Sequence, residues 1–495
     1  MKRLWGILLL LLLLTGGEIV AGTPTKLIYS QSSESITLHP HNVNDVYSRR
    51  IVANVFDRLI ETNENLEIVP GLAESWEQID PLTLKFNLRK GVKFQNGDEL
   101  TSEDVKYTFE NAKKSPIVGT LYEMIDTVET PDEYTALFKT LVPSGALLPH
   151  LTHISSSIIN KKYYESTEDT NLNPMGTGAY TLEEWKSGSY ITLKRFDDYF
   201  RGQAPIETIE VRVVPEENSR VIAVETGEHH IAGNIDSIGR TVLADRDDVT
   251  IEEISSLGVA YLGLNMSKEP LNDIRVRKAI VMAIDRDIII DSVLDGAVTK
   301  ANSLLGPGVV GYSKDTLPYE YNLEEAKKLL AEAGHENLKF TLSTSNNDLR
   351  RQMAEIIQAQ LKEIGIEIKI EILEWATFLN ATGNGSTDLF MMGWSNSSGD
   401  ADFALTALLH SSMKGEPGNR SFFENKEFDK LVDAGKLELD KEKRDEIYAK
   451  AQEIMNREIP VLPLYFQPAS AAVRTEVKGF VQSPINMPTF YKLSF

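Results

Sequence analysis

The chain has 495 residues, too many for a single hydrophobic core, so two or three domains are expected. Hydrophobic residues make up 42% and charged residues 25%, the balance of a folded globular protein rather than a disordered one. The 51 basic and 73 acidic residues leave a net charge of -22, which repels nucleic acid and anionic lipid and leaves neutral, zwitterionic or cationic partners. The same acidity also keeps an abundant protein in solution.

The opening residues, MKRLWGILLLLLLLTGGEIVAG, have the pattern of a secretory signal: Lys2 and Arg3, then an apolar run over 4–14 too short to span a bilayer comfortably, then a small-residue exit at 20–22. Cleavage near Gly22 is expected, with an uncleaved anchor as the competing reading. There is no cysteine, hence no disulfide framework, no thiol nucleophile and no lipoprotein attachment point. A free, extracytoplasmic protein, periplasmic and monomeric, is expected.

Residues 25–150 mix short strands with one clear helix. LTLKFNLRKGVKF (82–94) alternates as a strand does, and Thr101 with Asp104 forms a capping box that opens the helix SEDVKYTFENAKK. Residues 178–264 read mostly as strands, among them YITLKRF and IETIEVRVV. From Asn265 onward, amphipathic helices alternate with strands. Asn272 or Asp273 caps a helix with Val276, Ala279, Ile280, Ala283 and Ile284 on one face, and a second helix runs from the Asn322 cap to Gly334. KFTLSTS, then NDLRRQMAEIIQAQLKEIG, then IEIKIEI form a βαβ unit; in the last segment Ile366, Ile368, Ile370 and Ile372 are expected on a buried face. After a short helix around WATFLN, DLFMMGW (388–394) is apolar almost throughout, as a strand covered on both faces should be.

That strand runs into SNSSGDAD, and in open α/β sheets ligands bind beyond the carboxyl ends of strands. Asn396, Ser397 and Ser398 offer hydrogen bonds, Gly399 permits close backbone approach, Asp400 and Asp402 suit an ammonium group, and Trp394 supplies an apolar wall with one N–H. A solvated turn whose aspartates cap a helix starting near Phe403 is the competing reading, for Asp402 above all. Arg350 and Arg351 open the helix after KFTLSTS, where a guanidinium can take a carboxylate in two parallel bonds; a surface salt bridge is the alternative for each, and the weaker claim to a ligand is that of Arg350. His39 with His41, His150 with His153, and His229 with His230 are the metal-like clusters, none supported by cysteine. No G-x-S-x-G, phosphate-binding loop, H-E-x-x-H or calcium-loop pattern occurs, so the residues point to binding without a covalent step, and no cofactor is called for.

Four ordered blocks, at 55–110, 173–200, 261–290 and 321–334, resemble the extracytoplasmic solute-binding proteins of ABC importers, in the peptide, nickel and oligopeptide group. The first reads VFDRLIETNENLEIVPGLAESWEQIDPLTLKFNLRKGVKFQNGDELTSEDVKYTFE. The resemblance implies a two-lobed fold with an inserted domain: a discontinuous domain I over 23–62, 178–264 and 472–495, domain II over 63–177, and domain III over 265–471. It also implies a ligand buried between domains I and III and a membrane permease as partner. Dipeptide binders of this group place an amine-holding aspartate three residues after the Trp; here that position is Ser397. The wording GWSNSSGDADFAL is similar to glutathione-binding members. On this footing the expected ligand is a short peptide. Its expected contacts are Asp400 for the amine, Arg351 for the carboxylate, Trp394 as wall, and Asn396, Ser397, Ser398, Asp402, Asn265 and His41 around it. Nickel chelates, oligosaccharides and an exported metal-dependent peptide hydrolase are the rival readings.

Overall fold

The computed structural model describes residues 25–495 apart from 44, 64–65, 315–318, 336 and 417, so the segment read as a secretory signal lies outside the described residues. Among the described residues no helix is long and apolar enough to cross a membrane. The architecture is α/β, as expected. One eleven-stranded sheet carries both ends of the molecule, and its two longest strands, Val249–Leu264 and Val461–Arg474, lie antiparallel at its centre. On one side follow Leu389–Ser395, Lys339–Ser345 and Glu367–Leu373; on the other, Ile231–Gly233, Lys26–Gln31, Thr208–Val213, Tyr190–Arg195 and Tyr180–Lys186; the eleventh strand, Thr299–Lys300, pairs with Val461–Arg474 off this order.

The strand Val249–Leu264 shows why the sheet serves two bodies. Its first half, VTIEEIS, is only partly covered, whereas from Ser256 to Leu264 every residue is buried. The change falls where the pairing with Val461–Arg474 slips between Ser255 and Gly258. Such a bulge bends and twists the ribbon. The hydrophobic clusters divide accordingly: one gathers Leu27, Tyr29, Val52, Ile209, Val473 and Phe490, while two others occupy 257–466. A further core, with Phe86, Phe109, Tyr122 and Phe138, lies under a separate antiparallel sheet of Ala73–Asp80, Thr83–Leu88, Thr135–Thr140 and Ile125–Asp132. Phe403, from the far side of the chain, joins that core.

The βαβ unit is present. Lys339–Ser345 and Glu367–Leu373 pair in parallel across the helix Asp348–Lys362, whose Met353, Ile357 and Leu361 are buried. The expected caps form at Asp273, at Asn322 with Gly334 left-handed at the far end, and as a capping box at Thr101 with Asp104. Other expectations need correcting. The strand expected over 82–94 stops at Leu88, and the chain turns through Gly91 at positive φ. Ile372 is 44% exposed, because Glu367–Leu373 is the last strand of the sheet and its end outruns its cover. The β-rich stretch 178–264 also holds helices at Glu217–Glu225 and Ser237–Leu243, whose short lengths left little period to read.

Candidate functional site

The strand Leu389–Ser395 is flanked by Lys339–Ser345 and Val249–Leu264, and its apolar first four residues are buried, as expected for a central strand. It delivers Trp394 to the sheet edge, beside a cavity. Val43 and Arg49 come to that cavity from the first segment, Val118, Leu121 and His153 from the inserted domain, and Trp394, Asp402, Phe403, Thr406 and Lys436 from the α/β half. The space between atoms is about 480 Å³, of which about 30 Å³ can take a water centre. The walls therefore stand close, and a guest of more than a water or two requires them to part.

The turn after Trp394 is braced from within. Asn396, fully buried, donates to the carbonyls of Leu257 and Leu304, at 3.3 and 3.1 Å. The Ser398 hydroxyl accepts from the Asp400 amide, and Asp400 caps the helix Ala401–Leu409, so the cap is Asp400 rather than Asp402. Both carboxylates are taken by side chains of the protein itself. Asp400 meets Arg444 at 2.7 Å and Asp402 meets His150 at 2.9 Å, all four side chains buried. His150 Nδ1 faces the Leu121 carbonyl at 2.8 Å, so both its ring nitrogens face acceptors. Burial pushes the Asp402 carboxyl up, but the charge and hydrogen bond of His150 outweigh it and hold the group at about 2. Burial and the charge of Asp402 push Asp400 up, against the pull of Arg444. The amine-holding role expected of Asp400 thus meets an acid that already has its cation.

Ser397 is different, because Arg49 Nη1 donates to its hydroxyl at 3.2 Å across the gap. Arg49 is 7% exposed and sits on the helix Val46–Val55. Its neighbour Arg50, on the same helix, is fully buried and donates to Gln31, Asn234 and Asn486, anchoring the helix to the sheet. Arg49 has no carboxylate within 4 Å among the described residues, and its Nε has no partner. Burial pushes the guanidinium down to about 10, with Asp45 acting against it, so it remains a cation at neutral pH. Three more orphaned polar atoms line the same cavity: His153 Nε2, Trp394 Nε1 and Thr406 Oγ1. His153 Nδ1 accepts from the Ser155 amide at 3.2 Å, which leaves its proton on Nε2. Burial, with Arg49 close by, pushes the His153 imidazole well down, so it is neutral. Phe403 stands between the His153 and Trp394 rings, at 5.0 and 5.1 Å.

The remaining expected residues lie elsewhere. Arg351 is half exposed and paired with Asp348 at 2.9 Å, whereas Arg350 reaches back to Ser345 Oγ at 2.7 Å, at the carboxyl end of its strand. Asn265 is fully buried and holds the carbonyls of Gly385 and Thr387. Its strand pairs Leu264 with Leu389 and Val259 with Trp394, which sets it about 20 Å of strand away from the Trp. His41 is buried against His39 at 5.0 Å, and burial pushes the two down to about 3 and about 4. Among the described residues no group of three or more His, Asp or Glu is placed to hold a metal ion. Arg49 was missed. Two arginines inside the apolar run VYSRRIVANV were the available signal, since a cation there needs a reason.

A large sheet bent between two bodies, an inserted domain and a cleft between them define a two-lobed binding protein, and comparison with known proteins gives the family. Residues 67–416 match the model of the bacterial extracellular solute-binding proteins, family 5 middle region. The Escherichia coli K12 dipeptide-binding protein is 31% identical, over 89% of each chain, and heme-binding protein A of Haemophilus influenzae is 30% identical over 89% of this chain and 86% of its own. Among solved structures, the periplasmic binding protein DppA from Helicobacter pylori in complex with the peptide STSA superposes with a TM-score of 0.90 at 28% identity, covering 96% of this chain and 98% of that one. The chain belongs to the family 5 extracellular solute-binding proteins.

Proposed function

We propose that this protein captures a short peptide between its lobes, in the periplasm, and hands it to the permease of an ABC importer. The observation that carries the reading is the cavity itself: Trp394, at the carboxyl end of a central strand, faces residues of all three parts of the chain, with orphaned polar atoms around it. The peptide-binding names of the Escherichia coli and Helicobacter pylori relatives support the ligand class. In this reading Trp394 and Phe403 are the apolar walls, and Arg49, Ser397 and Thr406 supply polar contacts. The division into 23–62 with 178–264 and 472–495, 63–177, and 265–471 is the proposed set of moving parts, supported by the separate cores. The pairing slip at Ser255–Gly258 is the proposed hinge, where a change of a few backbone angles can part the walls. Closure is then a population shift driven by contacts made only in the closed form.

Incubation of the purified protein with a defined mixture of dipeptides and tripeptides, followed by native mass spectrometry, tests this. Intact peptides retained on the protein are the expected result. Shortened products would support the hydrolase reading instead, and no retained peptide of any kind would overturn peptide capture.

A further inference from the structure

We infer that the cleft anchors its ligand through a carboxylate seated on Arg49, and does not grip a ligand ammonium; the inference rests on the peptide reading above. The polar atoms that line the cavity unpartnered are Arg49 Nε, His153 Nε2, Trp394 Nε1 and Thr406 Oγ1. Arginine and tryptophan can only donate, and the hydrogen bond at His153 Nδ1 makes Nε2 a donor too. A buried donor left unpaired forfeits its hydration with nothing in return, so a guest that satisfies three of them gains by supplying acceptors.

The charges point the same way. Asp402, the acid lining the cavity, is held by His150 at 2.9 Å, while the other lining cation, Lys436, has Glu123 at 3.0 Å. Arg49 alone of these has no counter-ion within 4 Å among the described residues, with only a serine hydroxyl on Nη1. A buried guanidinium with a free Nε edge matches the two oxygens of a carboxylate in parallel bonds. An ammonium would bring three more donors to a place already short of acceptors. The protein's overall negative charge does not decide the matter, because the interaction is local and out of water.

The carboxylate can be the peptide's own terminus or an acidic side chain, and end-group chemistry separates the two. One library of dipeptides and tripeptides is prepared free, N-acetylated and C-amidated, and each form is titrated against the full-length mature protein, with retained species identified by native mass spectrometry. N-acetylation should leave affinity within about threefold, whereas removing the anchoring carboxylate should cost about tenfold or more. If the terminus is the anchor, all C-amidated members weaken; if a side chain is, amidated members holding Asp or Glu persist and their Asn and Gln counterparts do not. Arg49→Gln should abolish the discrimination. Trp394→Phe, which deletes the N–H and keeps a smaller aromatic wall, should weaken the acid-bearing members more than the amidated ones. Strong loss on N-acetylation with tolerance of amidation would overturn the carboxylate anchor while leaving peptide capture standing; no binding in any form would overturn the peptide reading itself.

Discussion

Asp400 and Asp402 in the turn after Trp394, and Arg49, His153 and Trp394 around the cavity, all hold polar atoms away from water, yet only the aspartates have a basic side chain of the chain within 3 Å. Arg444 and His150 close the acidic turn, and its role is to lock the helix Ala401–Leu409 against the inserted domain. The donors around the cavity are left open at a cost in stability. Satisfied buried polar groups hold a fold, and unsatisfied ones that line a cavity call for a partner such as a ligand or a water. The difference could not be read from residue type, since aspartates after a strand and an arginine in a helix are each compatible with both roles.

Breaking the satisfied side should hurt the fold most. Asp400→Ala strands Arg444 and removes a helix cap, and a loss of about 3–5 kcal/mol in urea unfolding is expected, with Asp400→Asn milder. Asp402→Asn keeps the shape but loses the charge facing His150, for about 1.5–3 kcal/mol. Breaking the open side should do the reverse. Arg49→Met removes a desolvated cation without a counter-ion, so the ligand-free protein should be unchanged or more stable by about 1–2 kcal/mol, while peptide retention falls. A marked drop in stability for Arg49→Met would place this residue with the structural group.

Away from the cleft, burial with Asp236 alongside pushes the Glu217 carboxyl up to about 8, above an unfolded value of about 4.3. The folded chain therefore keeps a proton that the unfolded chain has released, and stability contributed by this group is lost as pH rises through that interval. Glu217→Gln should flatten the decline between those pH values, and an unchanged slope in denaturation series would contradict the shift. The smallest effect is expected for Arg351→Ala, an exposed residue paired only with Asp348 and Glu355: within about 0.5 kcal/mol in stability and none on ligand retention.

Much of the fold was legible because its signals are periodic: the βαβ unit, the caps at Asp273 and Asn322, and the doubly covered strand before Trp394 follow from spacing alone. The site was legible in its address, at that strand's end, and less so in its chemistry. Arg49 and His153 lie some 240 to 350 residues from Trp394 and Ser397 in the chain and meet them only through packing. Arg350 and Arg351 differ by one residue of helical phase, about 100° of rotation, and a sequence does not fix which of the two turns back toward its strand at a helix's first turn.

A crystal structure of the protein with its retained cargo tests the central claim most directly. The account predicts the guest between Arg49 and Trp394, with a carboxylate oxygen at about 3 Å from Arg49 Nε. A guest bound outside this cavity, or one that turns an ammonium toward Asp400 with Arg444 displaced, would contradict it.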